Sequence, residues 1–269
     1  MEEKALTAKK SGFSMLPLCF IVFASGAALF VYAIGHLERG ENALGGFLLV
    51  VAILGYIAGI IALPGFKVLK PQEALVLTLF GHYAGTLREP GFYWVCPFCT
   101  AVNPAAGTKL SQSGDVDGGA HAASQSDGMG KKISLKMMTL NNSRQKINDC
   151  LGNPVEIGIA VIWRVTDTAK AVFNVDNYKE YLSLQCDSAL RNVVRVYPYD
   201  VAPNVDTTGD GVADEGSLRG SSEVVAARIR DEIQKNVAEA GIEVVEARIT
   251  YLAYAPEIAA VMLLSLIHI

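Results

Sequence analysis

Cys96 and Cys99 are the two residues of this sequence whose type and spacing are best suited to chemistry, within PGFYWVCPFC at 90–99. A Cys-x-x-Cys spacing is typical of thiol–disulfide oxidoreductases, which place the pair where a strand leads into a helix. The helix terminus there stabilises the attacking thiolate. Here TAVNPAAG follows the pair, and its proline and glycine disfavour a helix, so the residues favour a strand end. An oxidoreductase that uses Cys96 and Cys99 remains the alternative function.

The same two cysteines would supply only half of the ligands of a structural zinc site. Cys150 and Cys186 are isolated, and no second Cys-x-x-Cys and no closely spaced histidine pair completes the set. No Walker or dinucleotide-binding glycine pattern follows a predicted strand. We therefore predict no catalytic residue, no cofactor and no metal site.

The segment DTTGDGVADEGS at 206–217 partly matches a calcium-binding loop. The residues at positions 1, 3, 5, 6 and 9 of such a loop are Asp206, Thr208, Asp210, Gly211 and Asp214. Position 12 requires a bidentate glutamate and is Ser217 here. The sequence favours an acidic surface loop, with a calcium-responsive adaptor as a third hypothesis.

The elements that carry these residues begin with a membrane anchor. Hydrophobic residues make up 51% of the 269 residues, and segments 13–35 and 43–63 contain no Asp, Glu, Lys or Arg. Each is close to the roughly 20 residues that cross a bilayer as a helix. The short polar connection HLERGEN predicts a transmembrane hairpin. Because neither span contains an ionisable residue, ion transport by the hairpin is disfavoured.

Basic residues predict the orientation of the hairpin. The lysines at its outer ends are Lys4, Lys9, Lys10, Lys67 and Lys70. Only Arg39 lies in the connecting loop, so the loop should face outward and both termini the cytoplasm. The net charge of -4 offers no broad basic surface, which argues against a nucleic-acid partner.

Two groups of residues near the membrane have two interpretations each. The glycines Gly26, Gly45, Gly46, Gly55 and Gly59 either allow the spans to pack closely or reflect ordinary membrane composition. The aromatic residues 92–94 either reach the headgroup layer or belong to the core of a sheet. The sequence leaves both questions open.

The remainder predicts an α+β domain with a meandering antiparallel sheet. QEALVLTLFG, KKISLKMMTL and VEIGIAVIWRV read as strands. In the last of these, one face carries Val155, Ile157, Ile159, Val161, Trp163 and Val165. In the later strand EVVEARITYLAYA, the alternation places Val245, Ala247, Ile249 and Tyr251 on one face.

Three helices are predicted between these last two strands. A short helix opens at Thr166 or Asp167, and Pro198 ends a longer one. The apolar stripe of the longer helix is Tyr178, Leu182, Ala189, Leu190, Val193 and Val194, with Cys186 also at a packed position. The third runs from Ser221 or Ser222 to a stop at Gly241.

These segments together resemble the SPFH or Band 7 family, the stomatin/prohibitin/flotillin group, and in particular its bacterial members with an amino-terminal hairpin. The resemblance rests on VLKPQEALVLTLFGHYAGTLREPGFYWVCPF, on GNPVEIGIAVIWRVTDTAKAVFNVDNYKEYLSLQCDSALRNVVRVYPYD, on GSLRG and on AGIEVVEARITYLAYAPEIAAVML. It implies a non-enzymatic scaffold in the bacterial inner membrane, with membrane lipids, further copies of itself and membrane proteins such as proteases as partners.

The expected organisation follows from this resemblance. Residues 1–12 are a cytoplasmic tail, 13–63 the hairpin, 64–255 the SPFH domain and 256–269 the start of a carboxy-terminal helix. The polar stretch 104–130 lacks large apolar residues and is expected to be a disordered insertion. Relatives continue into a long helix where this chain ends in LSLIHI, which we interpret as a non-native tail on a truncated chain.

Overall fold

The structure is a computed structural model that describes residues 3–6, 12–39, 42–110, 116–117, 130–200 and 217–258. The helices are α1 (Gly12–Glu38), α2 (Asn42–Ala62), α3 (Thr168–Phe173), α4 (Tyr178–Val194) and α5 (Ser222–Val237). The first strands are β1 (Phe66–Leu69), β2 (Glu73–Leu79), β3 (His82–Leu87), β4 (Gly91–Trp94), β5 (Cys99–Ala101) and β6 (Lys109–Leu110). The others are β7 (Val116–Asp117), β8 (Ile133–Ser134), β9 (Met138–Asn141), β10 (Gln145–Asn148), β11 (Pro154–Val165) and β12 (Ile242–Tyr254).

The predicted α+β class is confirmed, and all pairings between these strands are antiparallel. The prediction of one meandering sheet is wrong. The strands form two four-stranded sheets and two two-stranded ribbons, and β12 returns to pair with β11 after three intervening helices. Sequence periodicity reports which face of a strand is buried but carries no signal for its partner.

One compact unit comprises residues 4–102 and 131–134. It holds α1, α2, the β1–β4 ribbon and the sheet β3-β2-β5, with β8 also paired to β2. The predicted strand QEALVLTLFG is confirmed as β2. The hydrophobic core of this unit contains Leu69, Leu75, Leu77, Leu87 and Tyr93.

The other unit comprises residues 1–3, 103–130 and 135–269. Its sheet has the order β10-β11-β12, with β9 also paired to β11. All six residues predicted to share one face of β11 are buried, and Trp163 among them is fully enclosed. Its ring contacts Tyr178 of α4 edge to face, with 6.2 Å between the centroids. Alternation along β11 therefore predicted the core of this unit correctly.

The inward face of β12 was only partly predicted. Residues opposite each other in an antiparallel pair project to the same face, so the partners of buried β11 residues define the inward side. Val161 pairs with Ala247 and Ile159 with Ile249, as predicted. Trp163 pairs with Val244 instead of Val245, because register shifts interrupt the alternation on either side of residues 246–249 of β12. Val245 is consequently exposed, and Tyr251 lies opposite Gly158 on the outer face.

The predicted starts of α3 and α5 are confirmed, whereas α4 ends at Val194, before the predicted stop at Pro198. The Asp167 side chain accepts a hydrogen bond from the Lys170 amide at the start of α3, and the apolar stripe predicted for α4 is buried together with Cys186. Ser221 is the N-cap position of α5. After α5, Gly241 has a φ of 66°, the left-handed conformation that glycine adopts most readily at a helix end.

The first residues of the expected disordered insertion have defined structure. Ala105 is fully buried, and the Lys179 ammonium donates hydrogen bonds to the carbonyl oxygens of Ala105 at 3.1 Å and Thr108 at 2.6 Å. Burial lowers the pKa of Lys179. Residues 104–110 are thus held by the half-buried Lys179 amine and the buried Ala105, contacts that the polar composition of 104–130 did not indicate. Residues 111–115 and 118–129 lie outside the described residues.

Candidate membrane interface

The apolar character of α1 and α2 extends around their whole circumference. Phe20, Val31, Phe47 and Leu54 each expose more than half of their surface. Only 11% of the most apolar window of each helix is buried, whereas the core helix of a soluble protein would be mostly enclosed. At about 1.5 Å per residue, 27 and 21 residues extend over the ~30 Å of a bilayer core. Both helices are therefore long and apolar enough to cross a membrane.

Three of the five glycines lie where the two helices meet. A Cβ on Gly26 would lie 3.4 Å from the Tyr56 ring, one on Gly45 would lie 2.8 Å from Leu37, and one on Gly59 would lie 3.0 Å from the Phe23 ring. Gly46 and Gly55 have open space around the same position. Close helix packing thus explains Gly26, Gly45 and Gly59, and ordinary membrane composition suffices for the other two.

Both ends of the predicted hairpin meet the β1–β4 ribbon. Near the start of α1, the rings of Phe13 and Phe92 are 5.4 Å apart. At the end of α2, the Trp94 indole nitrogen donates a hydrogen bond to the Ala62 carbonyl oxygen at 3.3 Å. The start of α1 and the end of α2 therefore lie on the same side of the anchor, which confirms the hairpin.

The structure divides the aromatic residues that the sequence left undecided. Tyr93 points into the sheet core, is 2% exposed and donates a hydrogen bond to the Glu89 carbonyl oxygen at 3.0 Å. Burial, with a smaller contribution from the Glu89 charge, raises the pKa of Tyr93. Phe92 and Trp94 occupy the opposite face of β4, where they contact the helix ends. The sheet-core interpretation is thus confirmed for Tyr93, and contact of Phe92 and Trp94 with the headgroup layer stays a prediction, because a strand sends alternate side chains to opposite faces.

The two cysteines of the candidate dithiol lie in a turn between strands β4 and β5. The Cys99 amide donates a hydrogen bond to the Cys96 carbonyl oxygen at 2.9 Å, and the chain continues into β5. Both are free thiols. Burial, followed by the charge and hydrogen bond of Cys96, raises the pKa of the Cys99 thiol, although Lys67 opposes this shift. The turn therefore lacks the helix terminus of an oxidoreductase centre.

The other predicted site residues do not come together among the described residues. Cys186 is fully buried in α4, where burial and the Asp187 charge raise its thiol pKa, and Cys150 is exposed. Within the described part of the chain, no group of three or more His, Cys, Asp or Glu side chains could hold a metal ion. The calcium-like loop lies outside the described residues except for Ser217, which is buried.

Sequence reasoning missed two features of the unit that carries the anchor. Lys132 forms an ion pair with Glu73 at 3.0 Å and attaches the returning chain at β8 to β2. Phe80 and Phe98, both mostly exposed, stack with centroids 6.2 Å apart. Phe80 and Gly81 form the two-residue turn between β2 and β3, with φ values of 48° and 85°. A two-residue loop between apolar strands was the available signal for this hairpin.

Comparison with known proteins adds the following. The sequence model of the family described as "SPFH domain / Band 7 family" matches residues 67–263. This match covers β2 to β12 and α3 to α5, and it begins within β1, shortly after the second apolar helix. None of the curated proteins matches the chain.

Proposed function

We propose that this chain, which belongs to the SPFH domain / Band 7 family, works as a non-enzymatic oligomeric scaffold of a membrane. The observation that carries the proposal is that a hairpin of two apolar helices is joined to the first strands of the family domain. Phe92 and Trp94 connect the two through contacts at both helix ends. Such a junction holds the domain close to the bilayer surface.

Confinement to a membrane supports assembly in a simple physical way. Anchored copies diffuse in two dimensions, so their effective concentration is raised and weak lateral contacts suffice to join many of them. The domain has no need of a strong interface in solution. Function then lies in the assembly, which would organise a membrane patch or regulate membrane proteins such as proteases.

The same proposal assigns the chain to the inner membrane of a bacterium, with the SPFH domain in the cytoplasm. Its support is the positive-inside distribution of lysine residues around the hairpin. The geometry supports an oxidoreductase less well, since the Cys96–Cys99 turn leads into a strand and not into a helix.

Electron microscopy of the full-length protein in mild detergent tests the scaffold. We expect large closed assemblies of many copies. A second test replaces Ile53 and Leu54 with arginine, and the matched control replaces them with alanine. Each arginine at the centre of a membrane-spanning helix costs about 2.5–3.5 kcal/mol. The arginine variant should disrupt the hairpin and lose the large assemblies, whereas the variant with alanine at both positions should keep them. A dispersed wild-type monomer with thiol-exchange activity would support the oxidoreductase instead.

A further inference from the structure

β12 is the outer strand of its sheet and leaves one edge of that sheet without a strand partner. Among the described strands it pairs only with β11, so its other edge presents unpaired backbone groups. The first part of the edge is covered by Gln234 of α5. Its side chain donates to the Ile242 carbonyl oxygen at 3.2 Å and accepts from the Val244 amide at 2.7 Å.

Only a short stretch of this edge is regular and open. Register shifts at Val245 and Thr250 interrupt the strand, and such bulges turn an edge away from further pairing. Residues 246–249 between them pair continuously with β11. They form one wall of a groove of about 520 Å³ whose other wall is α5, where Ala226 and Ala227 have the short side chains that keep it open.

The charges on this stretch are complementary to those of the same stretch in a second copy of the chain. Glu246 and Arg248 lie on the same face of β12 on either side of Ala247, with 2.6 Å between the Arg248 Nε and Glu246 Oε1 atoms. If two copies of β12 paired antiparallel with Ala247 opposite Ala247, Glu246 of each copy would face Arg248 of the other. The Arg248 side chain is 71% exposed and that of Glu246 is 40% exposed, so both are available to a second strand.

We propose that the open edge of β12 at residues 246–249 is a contact between two copies of this chain, paired antiparallel about Ala247. The inference rests on the proposed scaffold function and names one of its interfaces. The short regular stretch limits the contact to a few cross-strand pairs, which is weak in solution. Membrane confinement makes a weak contact of this kind sufficient. Opposite charges at two positions set the register, since like charges directly opposite each other are destabilising.

Charge exchange tests the pairing in the full-length protein within its native membrane, with assembly mass measured after chemical crosslinking. In Glu246→Arg, arginine faces arginine across the edge, and in Arg248→Glu, glutamate faces glutamate. Each single variant should weaken pairing by roughly tenfold to a hundredfold, because two cross-strand pairs change from opposite to like charges. The double variant E246R/R248E should recover the assembly.

A mixture of the two single variants is the decisive control. Both have lost the pair within their own chain, yet in a mixed dimer each arginine faces a glutamate. Co-expression should therefore restore pairing, which a merely local role of the Glu246–Arg248 ion pair would not do. Circular dichroism of each variant checks that the fold is retained.

Disulfide trapping gives a second measurement that does not depend on charge. With the native cysteines replaced by alanine, Ala247→Cys should form a disulfide between copies, because opposed Cα atoms in an antiparallel pair lie about 4.5–5.5 Å apart. Leu184→Cys, an exposed position on α4, should not. Suppose that wild-type protein assembles, that neither charge variant lowers the assembly mass, and that the thiol introduced by Ala247→Cys stays reduced. The edge contact is then wrong, and the scaffold proposal stands. If wild-type protein is solitary, both are overturned.

Discussion

At the scale of single residues, the environment of Cys99 works against thiolate formation. Burial and the neighbouring Cys96 raise the thiol pKa, and the next residues form a strand. In a disulfide-exchange centre the first cysteine attacks from the start of a helix, whereas here a strand follows the pair. The Cys-x-x-Cys spacing is therefore explained by a turn between two strands.

The first prediction concerns this thiol. Alkylation of Cys99 by iodoacetamide should be slow at pH 7 and should still rise with pH beyond the ordinary thiol value of 9.0, followed by mass spectrometry of its peptide. Replacing both Cys96 and Cys99 with serine should leave assembly size unchanged. A reaction rate that reaches its plateau below pH 7 would contradict the assignment and favour the oxidoreductase.

The second prediction concerns the ion pair of Glu73 and Lys132, whose side chains are 14% and 19% exposed. Burial raises the pKa of Glu73, but the hydrogen bonds and charges of Lys132 and Lys70 outweigh it, so the pKa lies below 4.5. A carboxylate of lowered pKa stabilises the fold above its unfolded value, and this contribution is lost as pH falls through the folded pKa. Glu73→Gln should lower the free energy of unfolding by about 1–3 kcal/mol at pH 7.

Trp94 reports this change, because it is the tryptophan of the unit that contains Glu73. In a Trp163→Phe background, denaturant titrations should show that the protein with Glu73 loses stability as the pH falls below 4.5. Glu73→Gln should lose less over the same pH range. Glu89→Gln is the matched control, since this exposed carboxylate lies in the same unit and should contribute almost nothing. Equal losses from the two substitutions would refute the role given to Glu73.

At the scale of elements, a left-handed glycine joins the end of the α5 region to β12. The Gly241 carbonyl oxygen accepts hydrogen bonds from the Thr166 and Asp167 amides at 2.9 and 3.1 Å, which brings the start of α3 to this turn. A Cβ at Gly241 would collide with the Asp167 backbone. One glycine thus sets both the turn and the close approach of α3.

The third prediction compares two glycines of positive φ. Gly241→Ala should lower the free energy of unfolding by about 2–4 kcal/mol, since strain in the left-handed region adds to the collision with Asp167. Gly152 has a φ of 84° and open space around it, so Gly152→Ala should cost only about 1–2 kcal/mol. Trp163 fluorescence in a Trp94→Phe background measures both. Similar losses would show that the approach of α3 is not tight.

At the scale of the whole molecule, an apolar hairpin and an SPFH domain are joined in one chain. The residues before the hairpin also reach the sheet: the Leu6 amide donates to the Thr86 carbonyl oxygen at 2.9 Å, and the Leu6 side chain lies against Gly85. The segments before and after the anchor thus lie on one side of it. Arg39, between the helices, belongs to the opposite end.

The fourth prediction tests which side that is. In intact cells, Arg39→Cys should react with a membrane-impermeant maleimide, whereas the native exposed Cys96 should react only after permeabilisation. Peptide mass spectrometry distinguishes the two sites within the same molecule, so Cys96 is the internal control. Labelling of Cys96 in intact cells, without labelling of the thiol introduced by Arg39→Cys, would invert the orientation.

Much of this architecture could be predicted because its signals are local. The signals for the two spans, for the alternation of β11 and for the apolar stripe of α4 each lie within one segment. The exposed apolar surface of the spans and the burial of the other two faces agree with them. Asp167 and Gly241 marked the ends of helices for the same reason. The candidate interface could be predicted only as a group of aromatic residues, without the face each one occupies.

The sequence by itself determined the anchor, the class of the domain and most of its buried faces, because these depend on residue type and period. Only the tertiary structure decided that β12 returns to β11 and leaves an open edge, that Lys132 attaches β8 to β2, and that Tyr93 turns inward while Trp94 meets α2. These features join residues far apart in the chain. Their stability comes from packing and hydrogen bonds formed after folding, which no local pattern encodes.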